Sequence, residues 1–599
     1  MVVRPPTARM APSLAMQTDL LRSAGARALL SSPSFREDWQ QLLDACPWAS
    51  AYQGPGFATT WYDVYAERFE PVLVTSRDAR GRLAGLLALA VSPEGDLAAA
   101  GTEHCEYQCW LARPADGDAF IVSALERLGD AFPGGSLKLE YLPQATPLGW
   151  VHADKPLARR AIVQRWSRGL LPTEDASVVE ASLRKSANRS RLNRLRREGD
   201  IAFEHVSGPA EIAALLEEIA PLCDLRHGAL YDDPPFQTDP LKAPFHRALA
   251  SVPGLLHVTA LRCGGRIASA HIDIENRGEV VLGLVTHSPW FSQHSPGKLH
   301  MLLLARALQS DGYRALDLSP GGGYKERFAT RHDDVFSLRV FFGPRQYYAC
   351  LASMRARQLA KGLLSRLGMR PSELRDRVAK LRPAFGLRGE SGSPVRRDGL
   401  RLWRNEAVHF YEARAEAIKA LPGDARARRN CLAELVTYMP GRVAETPRQE
   451  FLRVALERLE SGSTVYTRAT NGALSGWAWL SDSAQLTGDW IPGAPSLLPP
   501  RSAVVHDVAL DVPCGAADCG AMLARPLRDA LAIPNIDRVF VAVTDALPEL
   551  RRAIETLGGR YAGSILTRAR TGMLGSRSTV SVADQTAADT ARAQPMAVH

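Results

Sequence analysis

The segment from Leu256 to Phe342 has an order of elements that strongly restricts the possible fold. Three apolar stretches, LLHVTALR, RIASAHIDI and EVVLGLVTH, are separated by Gly264-Gly265 and by Asn276-Arg277-Gly278, which are turn sequences. We expect three antiparallel strands, then a helix from about Lys298 to Ser310, a strand ALDLS, a glycine-rich turn and a last strand FSLRVFF. This order predicts an α/β (α+β) fold with mixed, mostly antiparallel sheets flanked by helices.

The helix of this segment opens with Ser295-Pro296-Gly297-Lys298. Serine is a favourable N-cap, proline suits the first turn, and glycine lets a ligand approach the backbone closely. The amides from Ser295 to Leu299, together with the helix dipole and Lys298, are therefore suited to binding a pyrophosphate. An ordinary capped helix would have the same residues, so both interpretations stay open at this point.

A second candidate feature is the run Asp317-Leu318-Ser319-Pro320-Gly321-Gly322-Gly323-Tyr324-Lys325. Three glycines directly after a strand favour an open bend that directs Lys325 towards a bound acyl group. We expect Lys325 and Tyr324 to take part in catalysis, and Asp317 to anchor the turn. A plain loop with a surface lysine is the alternative. The spacing is not that of a Walker A loop, which excludes a nucleotidase of that type.

Both features, in this strand order, resemble a known family. Residues 34–342 are similar to the cellulose-biosynthesis (CelD-type) acetyltransferases, a branch of the GNAT superfamily related to the Fem peptidoglycan transferases. The similarity lies in SLRKSANRSRLNRLRREGDIAFEHV, GGRIASAHIDI, SPGKLHMLLLARAL and DLSPGGGYKERFA. It implies two GNAT-like folds in tandem, with acetyl-CoA or another acyl-CoA bound at the second. The usual GNAT phosphate loop is replaced by Ser295-Pro296-Gly297, which leaves the donor open, because Fem relatives use aminoacyl-tRNA.

The resemblance implies an acyltransferase acting on an amine or hydroxyl of a sugar, a polysaccharide precursor or a small metabolite. In this chemistry the acceptor attacks the thioester directly, and a fixed ammonium such as Lys325 stabilises the oxyanion. Tyr324 is a candidate acid for the leaving thiolate. The Fem-related families carry a lysine at the position of Lys325. A Fem-type aminoacyltransferase and a non-catalytic subunit of a polysaccharide-synthesis complex are the alternatives.

Composition changes along the chain predict six segments. These are a disordered leader (1–34), an N-terminal GNAT-like domain (35–165), a catalytic GNAT domain (166–344), basic amphipathic helices with a linker (345–399), a degenerate C-terminal GNAT-like domain (400–572) and a disordered tail (573–599). The C-terminal domain offers only Gly515 and Gly520, without Arg or Gln, where a phosphate loop is needed. We expect it to fold independently and to lack acyl transfer of its own.

Charge and cysteine content restrict the partners. Ser182–Arg197 holds seven basic residues and no acidic one, and residues 345–388 are also basic, whereas the chain as a whole carries a net charge of +9. Local contacts with an anionic membrane, a glycan or polysaccharide-synthase machinery are therefore expected, tRNA is less favoured, and DNA is not expected. Scattered cysteines and the lack of a long apolar run favour a cytoplasmic protein, peripheral at the inner face of the membrane at most, without a metal.

Overall fold

The computed structural model describes residues 17–174, 176–321, 323–366, 403–421, 427–483, 485, 498–511, 514–545, 547–572 and 575–583. Within these ranges the chain forms two mixed β-sheets flanked by helices. The predicted α/β fold class with mixed, mostly antiparallel sheets is therefore confirmed. In the described residues, no helix is both long enough and apolar enough to span a membrane.

The first sheet contains thirteen described strands. Its N-terminal strands are β1 (Asp19–Arg22), β2 (Glu70–Arg77), β3 (Leu83–Val91), β4 (Leu97–Ala99), β5 (Leu111–Ala112) and β6 (Ser136–Leu142). Its central strands are β7 (Ala161–Pro172), β8 (Ile201–His205), β9 (Leu256–Cys263), β10 (Arg266–Asn276), β11 (Glu279–His287), β12 (Ala315–Pro320) and β13 (Arg331–Phe341). The strand order is β1-β2-β3-β4-β6-β13-β7-β12-β11-β10-β9-β8, with β5 beside β3. Because β13 lies between β6 and β7, the two units predicted as 35–165 and 166–344 share one continuous sheet.

Helices cover this sheet. In the N-terminal unit they are α1 (Ser23–Leu30), α2 (Pro33–Ala45), α3 (Pro55–Val64) and α4 (Gly117–Ala131). In the central unit they are α5 (Ala176–Arg184), α6 (Ser186–Glu198), α7 (Pro209–Tyr231), α8 (Pro235–Thr238), α9 (Lys242–Leu249) and α10 (Pro296–Ser310), followed by α11 (Pro344–Arg366). The predicted antiparallel meander β9-β10-β11 and the helix after it are therefore present.

The second sheet belongs to the C-terminal region. Its strands are β14 (Trp403–Ala413), β15 (Arg428–Arg429), β16 (Thr464–Thr470), β17 (Ala473–Asp482), β18 (Ser502–Leu510), β19 (Arg538–Thr544), β20 (Arg560–Gly572) and β21 (Gly575–Ala583). Its helices are α12 (Ala415–Ala420), α13 (Leu432–Leu435), α14 (Arg448–Glu460), α15 (Ala516–Leu531) and α16 (Pro548–Thr556). The strand order is β15-β16-β17-β18-β19-β14-β20-β21.

The central and C-terminal units have the same strand order. The order β8-β9-β10-β11-β12-β7-β13 corresponds position by position to β15-β16-β17-β18-β19-β14-β20. In the central unit β7, the first strand along the chain, lies between β12 and β13, and in the C-terminal unit β14 lies between β19 and β20. Each unit also has one parallel pair connected by a helix: β11 to β12 by α10, and β18 to β19 by α15. The N-terminal unit has a comparable parallel pair, β4 and β6, connected by α4. The chain therefore contains related topologies in tandem.

Two of the predicted segment boundaries are wrong at the chain ends. The leader was expected to extend to residue 34, but β1 pairs with β2 and α1 buries Ala26 and Leu30 against the N-terminal core. The tail was expected from residue 573, but β21 pairs with β20 over its whole length. Residues 1–16, the Gly386–Gly399 linker and the chain beyond 583 lie outside the described residues, as does the basic segment after Arg366.

The C-terminal unit is packed against the central unit through a shared apolar cluster. Helix α7 contributes Leu215, Ile219 and Leu222, and α14 contributes Leu452 and Leu456. A salt bridge from Arg226 to Glu460, with a 3.0 Å N–O distance, joins the same two helices. The expectation that residues 400–570 fold independently of the rest stays a prediction, and the shared cluster argues against it, because α7 would expose its apolar face without this partner.

Candidate active site

The site begins where β11 and β12 separate. These parallel strands are paired only over Glu279–Val281 and Ala315–Asp317, although β11 continues to His287 and β12 to Pro320. The strands therefore diverge and leave an opening at the carboxyl end of the sheet. Parallel strands diverging in this way provide a crevice in which a ligand can bind between them.

A β-bulge in β11 lies at this opening. Ile272 of β10 faces Leu284 and Ile274 faces Val281, so β11 has one residue more than its partner. The extra space is occupied by Gly283, where an added Cβ would lie 2.4 Å from the carbonyl oxygen of Ile272. Its N–H donates to the buried Asp273 carboxylate at 3.0 Å. Only glycine fits here, and the bulge exposes the backbone of β11 to the opening.

Helix α10 starts at the end of β11, but not in the way the sequence predicts. Ser295 has a left-handed backbone (φ +53°), and its side chain does not cap the helix. Its N–H donates to the Ser292 carbonyl, while the N–H groups of Lys298 and Leu299 donate to the Ser295 carbonyl. Since Pro296 has no N–H, the Gly297 amide is the one available donor in this run among the described residues. The expected row of free amides from Ser295 to Leu299 is therefore wrong.

Positive side chains compensate for the missing amides. Partial burial lowers the pKa of Lys298, and the positive charges of Arg191, Lys185 and Arg327 lower it further. Lys185 lies at the start of α6 and Arg191 in its middle. Lys298 lies in the first turn of α10, and Arg327 lies in the short 3₁₀ turn Lys325–Arg327. Lys298 and the three cations that act on it at one helix N-terminus are suited to binding a multiply charged anion.

The corresponding helix of the C-terminal unit contrasts with α10. At the start of α15, the N–H of Gly515 donates to the carboxylate of Asp518 at 3.1 Å. That carboxylate also lies 3.6 Å from Arg468. The start of α15 therefore has a carboxylate beside its first amide, whereas cations surround the start of α10. The interpretation of the C-terminal unit as degenerate stays a prediction.

Asp317 lies at the end of the paired part of β12 and is fully buried. Its carboxylate accepts hydrogen bonds from the Tyr107 hydroxyl (2.7 Å), Arg168 (3.1 Å) and the Ser319 N–H (2.8 Å). Burial raises its pKa, although Arg168 acts in the opposite direction. The hydrogen bond to Ser319 holds that residue in a left-handed conformation (φ +59°), which turns the chain into the glycine-rich bend. Asp317 is thus placed to position the bend and has no free access to a substrate.

Lys325 and Tyr324 line a large cavity beside the opening between β11 and β12. Burial lowers the pKa of Lys325, whereas the carboxylates of Glu106 and Asp317 favour its charged form. Tyr324 remains 52% exposed at the cavity. Both residues therefore lie in the wall of this cavity.

Glu106 is a residue of this site that the sequence did not suggest. It comes from the N-terminal unit, in the loop between β4 and β5, and lines the same cavity. Burial raises its pKa to about 6, although the charge of Lys325 and a hydrogen bond with Ser319 lower it. A carboxyl group that titrates near neutral pH beside a lysine is characteristic of functional sites. No local pattern could have identified it, because the contact joins two units that are distant in sequence.

The cavity has a volume of about 660 Å³ and lies between the N-terminal and central units. Its walls contain polar groups from both units: Glu103, His104, Glu106, Lys138, Glu140, Lys242, His246, Tyr324 and Lys325. This volume is large enough for a small-molecule ligand. In the described part of the chain, His, Cys, Asp and Glu side chains form no group that could hold a metal ion.

His271 of β10 is a core residue. It is completely buried, and its ring stacks on that of His300 with centroids 4.1 Å apart. It does not belong to the cavity lining.

Part of the chain is similar to a known family. Residues 181–329 match the family model described as "Acetyltransferase (GNAT) domain". None of the curated proteins matches the chain.

Similar solved structures are distant. They include the C-terminal domain of a protein described as a lysylphosphatidylglycerol synthetase from Agrobacterium fabrum (12% identity, TM-score 0.35, 54% of this chain and 95% of that one). FemX has 8% identity and a TM-score of 0.39 over 52% of this chain and 98% of its own. A GCN5-related N-acetyltransferase from Sphaerobacter thermophilus has 13% identity and a TM-score of 0.25 over 54% and 96%. These values are too low to support a function. The family-model match covers residues 181–329, which contain β8 to β12 and helix α10, so this part of the chain is similar to a GNAT-type acetyltransferase domain.

Proposed function

We propose that this protein transfers an acetyl or other acyl group from acyl-CoA to an amine or hydroxyl acceptor. The acceptor we favour is a small metabolite or a sugar of a polysaccharide precursor, as in the CelD-type family that the sequence resembles. The observation that supports the proposal best is the set of Lys185, Arg191, Lys298 and Arg327 at the start of α10. This anion site lies at the end of β11, next to the opening whose other side leads to Lys325.

In this proposal the four cations and the Gly297 amide bind the phosphates of CoA. The pantetheine arm follows the opening between β11 and β12, which brings the thioester to the cavity. The ammonium of Lys325 stabilises the negative charge that develops on the thioester oxygen as the acceptor attacks. Glu106 keeps Lys325 in its charged form, and Asp317 fixes the bend from which Lys325 and Tyr324 extend. Tyr324 is the candidate proton donor to the departing thiolate.

A second candidate donor is aminoacyl-tRNA, as used by Fem-type transferases. The observation in its favour is the exposed basic face of α6, where Arg189, Arg194, Arg196 and Arg197 lie beside the proposed phosphate site. A long polyanion could extend from that site across this face. Under either donor, we propose that this face contacts an anionic membrane or polysaccharide-synthase machinery at the cytoplasmic side. A non-catalytic docking role would need neither the phosphate site nor Lys325.

Calorimetric titration of the full chain with acetyl-CoA and, separately, with charged tRNA distinguishes the donors. We expect acetyl-CoA to bind and Lys298→Glu to weaken binding by about 10-fold or more, because a charge-assisted hydrogen bond contributes roughly 1.5–3 kcal/mol. The exposed Lys155→Glu, which changes the net charge equally, is the matched control and should leave the affinity unchanged. Binding of charged tRNA without binding of acetyl-CoA would replace the proposed donor by the second one.

A further inference from the structure

A cluster of hydrogen-bonded side chains lies at the cavity wall and takes no part in the steps proposed above. The hydroxyl of Tyr65 lies 2.5 Å from Asp239 Oδ2 and 2.8 Å from His104 Nε2. His104 Nε2 is also 3.4 Å from Asp239 Oδ2. Tyr65 and His104 belong to the N-terminal unit and Asp239 to the central unit, so the cluster joins the two walls of the cavity. The side chain of His104 is only 5% exposed.

The protonation of the cluster follows from its environment. Burial favours the neutral carboxyl of Asp239, but hydrogen bonds from His104, Tyr65 and the Leu241 N–H lower its pKa to about 2. Burial and the hydrogen bond to Asp239 raise the pKa of Tyr65, so the tyrosine keeps its proton and donates it to the carboxylate. The Nε2–H of His104 is then shared between the hydroxyl oxygen of Tyr65 and Asp239 Oδ2. This assignment leaves the lone pair of the imidazole on Nδ1.

The other imidazole nitrogen, Nδ1, belongs to a side chain that lines the cavity. Within the described residues no hydrogen bond engages this atom, whereas several other buried histidine nitrogens are enclosed by protein. His104 lines the cavity, as do Glu106 two residues later in the same loop and Lys325 from the bend after β12. Burial lowers the pKa of His104, and the hydrogen bond to Asp239 acts in the opposite direction. An imidazole with one nitrogen held and the other free is suited to accept a proton.

We propose that His104 is the general base that deprotonates the acceptor, with Asp239 and Tyr65 as positioning residues. The inference rests on the proposed acyl transfer. The acceptor lies in the cavity between His104 and Lys325, and its N–H or O–H proton moves to Nδ1 as the nitrogen or oxygen forms a bond to the thioester carbonyl carbon. The carbon–sulfur bond then breaks, and the electron pair leaves on the CoA thiolate. The thiolate takes a proton, and the imidazolium returns its own proton to solvent.

Glu106 has a different position relative to the acceptor. Its carboxyl interacts with Lys325 and hydrogen bonds with Ser319, so the group is a partner of the lysine. His104 has its hydrogen-bonded side turned to Tyr65 and Asp239 instead. The other charged groups that act on it are Lys242 and Glu103, and Arg68 pairs with Asp239 at 3.5 Å. These surroundings favour His104 over Glu106 as the group that accepts the acceptor's proton.

The test uses the full chain, acetyl-CoA, and two kinds of acceptor: hydroxylamine and a panel of primary amines. Release of CoA is followed by chromatography for the wild type, His104→Ala and the control His152→Ala, which replaces an exposed histidine. We expect His104→Ala to lower kcat/KM by about 10²-fold or more without changing the affinity for acetyl-CoA. Imidazole added to the solution should restore part of the lost rate, and His152→Ala should match the wild type.

The pH profile provides a readout that a purely structural role would not change. The base must be neutral, so the rate rises with pH through its pKa and is flat above it. Asp239→Asn removes the negative charge that stabilises the imidazolium, so the acidic limb should move to lower pH and the maximal rate should fall. Tyr65→Phe should also move the acidic limb to lower pH and lower the maximal rate. If His104→Ala does not fold, the profile of Tyr65→Phe tests whether His104 is the base.

Several results would overturn the assignment. A His104→Ala variant with near wild-type rate would do so, as would a rate loss that imidazole does not restore together with an unshifted limb in Asp239→Asn and Tyr65→Phe. Acetyl-CoA binding without CoA release to hydroxylamine would also count against it, because a nucleophile this small enters a cavity of about 660 Å³ freely. Failure of the wild type to bind acetyl-CoA is a different outcome, which overturns the proposed donor and the base assignment with it.

Discussion

Replacing Lys325 by methionine should lower the turnover number far more than it changes the affinity for acetyl-CoA. Methionine keeps an unbranched, flexible side chain and removes only the charged end. The ammonium is partly buried beside Glu106 and Asp317, in the cavity next to the opening between β11 and β12. A charge in such a place acts on the transition state, in which the thioester oxygen has become negative, more strongly than on the bound donor.

The structure sets the size of two effects of this substitution. Removing one preorganised electrostatic donor typically lowers the rate by about 10²–10³, or roughly 3–4 kcal/mol in activation free energy. The pKa of Glu106, about 6, is held down by Lys325, so loss of the ammonium should raise it further. Each pKa unit of that rise corresponds to about 1.4 kcal/mol of interaction between the two side chains.

Steady-state kinetics of Lys325→Met, with Lys155→Met as a control at an exposed position, measures the first effect. Titration of Glu106 by carbon-13 NMR, assigned with Glu106→Gln, measures the second. A near-normal turnover number would refute the placement of the electrophile beside Lys325. A raised dissociation constant for acetyl-CoA with an unchanged turnover number would instead make Lys325 a ligand of a phosphate group.

Three further predictions concern the frame of the site. Gly283→Ala should shift β10 against β11, because the new Cβ would lie 2.4 Å from a backbone oxygen. Thermal unfolding should show a free energy of unfolding lower by roughly 1–3 kcal/mol. An unchanged midpoint would contradict the bulge geometry. Asp317→Ala should lower the free energy of unfolding, measured with urea, by roughly 3 kcal/mol, because Arg168 stays buried without this partner. Equal stability would mean that Glu279 and Asp333 are sufficient partners for Arg168. A chain ending at residue 366 should expose the apolar face of α7 and bind the dye ANS, whereas an ANS-negative fragment would support independent folding.

Local pattern was sufficient to predict the meander, helix α10 and the last two strands of the central unit. The turns at Gly264-Gly265 and Asn276-Arg277-Gly278 punctuate alternating apolar strands, and both signals act over a few residues. The fold class follows from their order. The detailed start of α10 did not follow, because the left-handed conformation of Ser295 and its carbonyl hydrogen bonds arise from the preceding 3₁₀ turn, not from the intrinsic preferences of Ser, Pro and Gly.

The parts of the site that were missed depend on contacts between distant segments. His104 and Glu106 lie in a loop of the N-terminal unit without a recognisable motif, and only the shared sheet brings that loop to Lys325. The expected contact of the basic stretch Ser182–Arg197 with an external anionic partner stays a prediction. Two of its residues, Lys185 and Arg191, also act on Lys298 at the start of α10, which is a tertiary arrangement that charge counting along the chain cannot detect.

A crystal structure of the complex with acetyl-CoA tests the central proposal most directly. We expect density for the pyrophosphate beside Gly297 and Lys298 at the start of α10. The pantetheine arm should lie between β11 and β12, and the thioester carbonyl should lie within hydrogen-bond distance of Lys325 Nζ. Density for the phosphates at the start of α15, beside Asp518, or on a surface away from the cavity of Glu106 and Lys325, would contradict it.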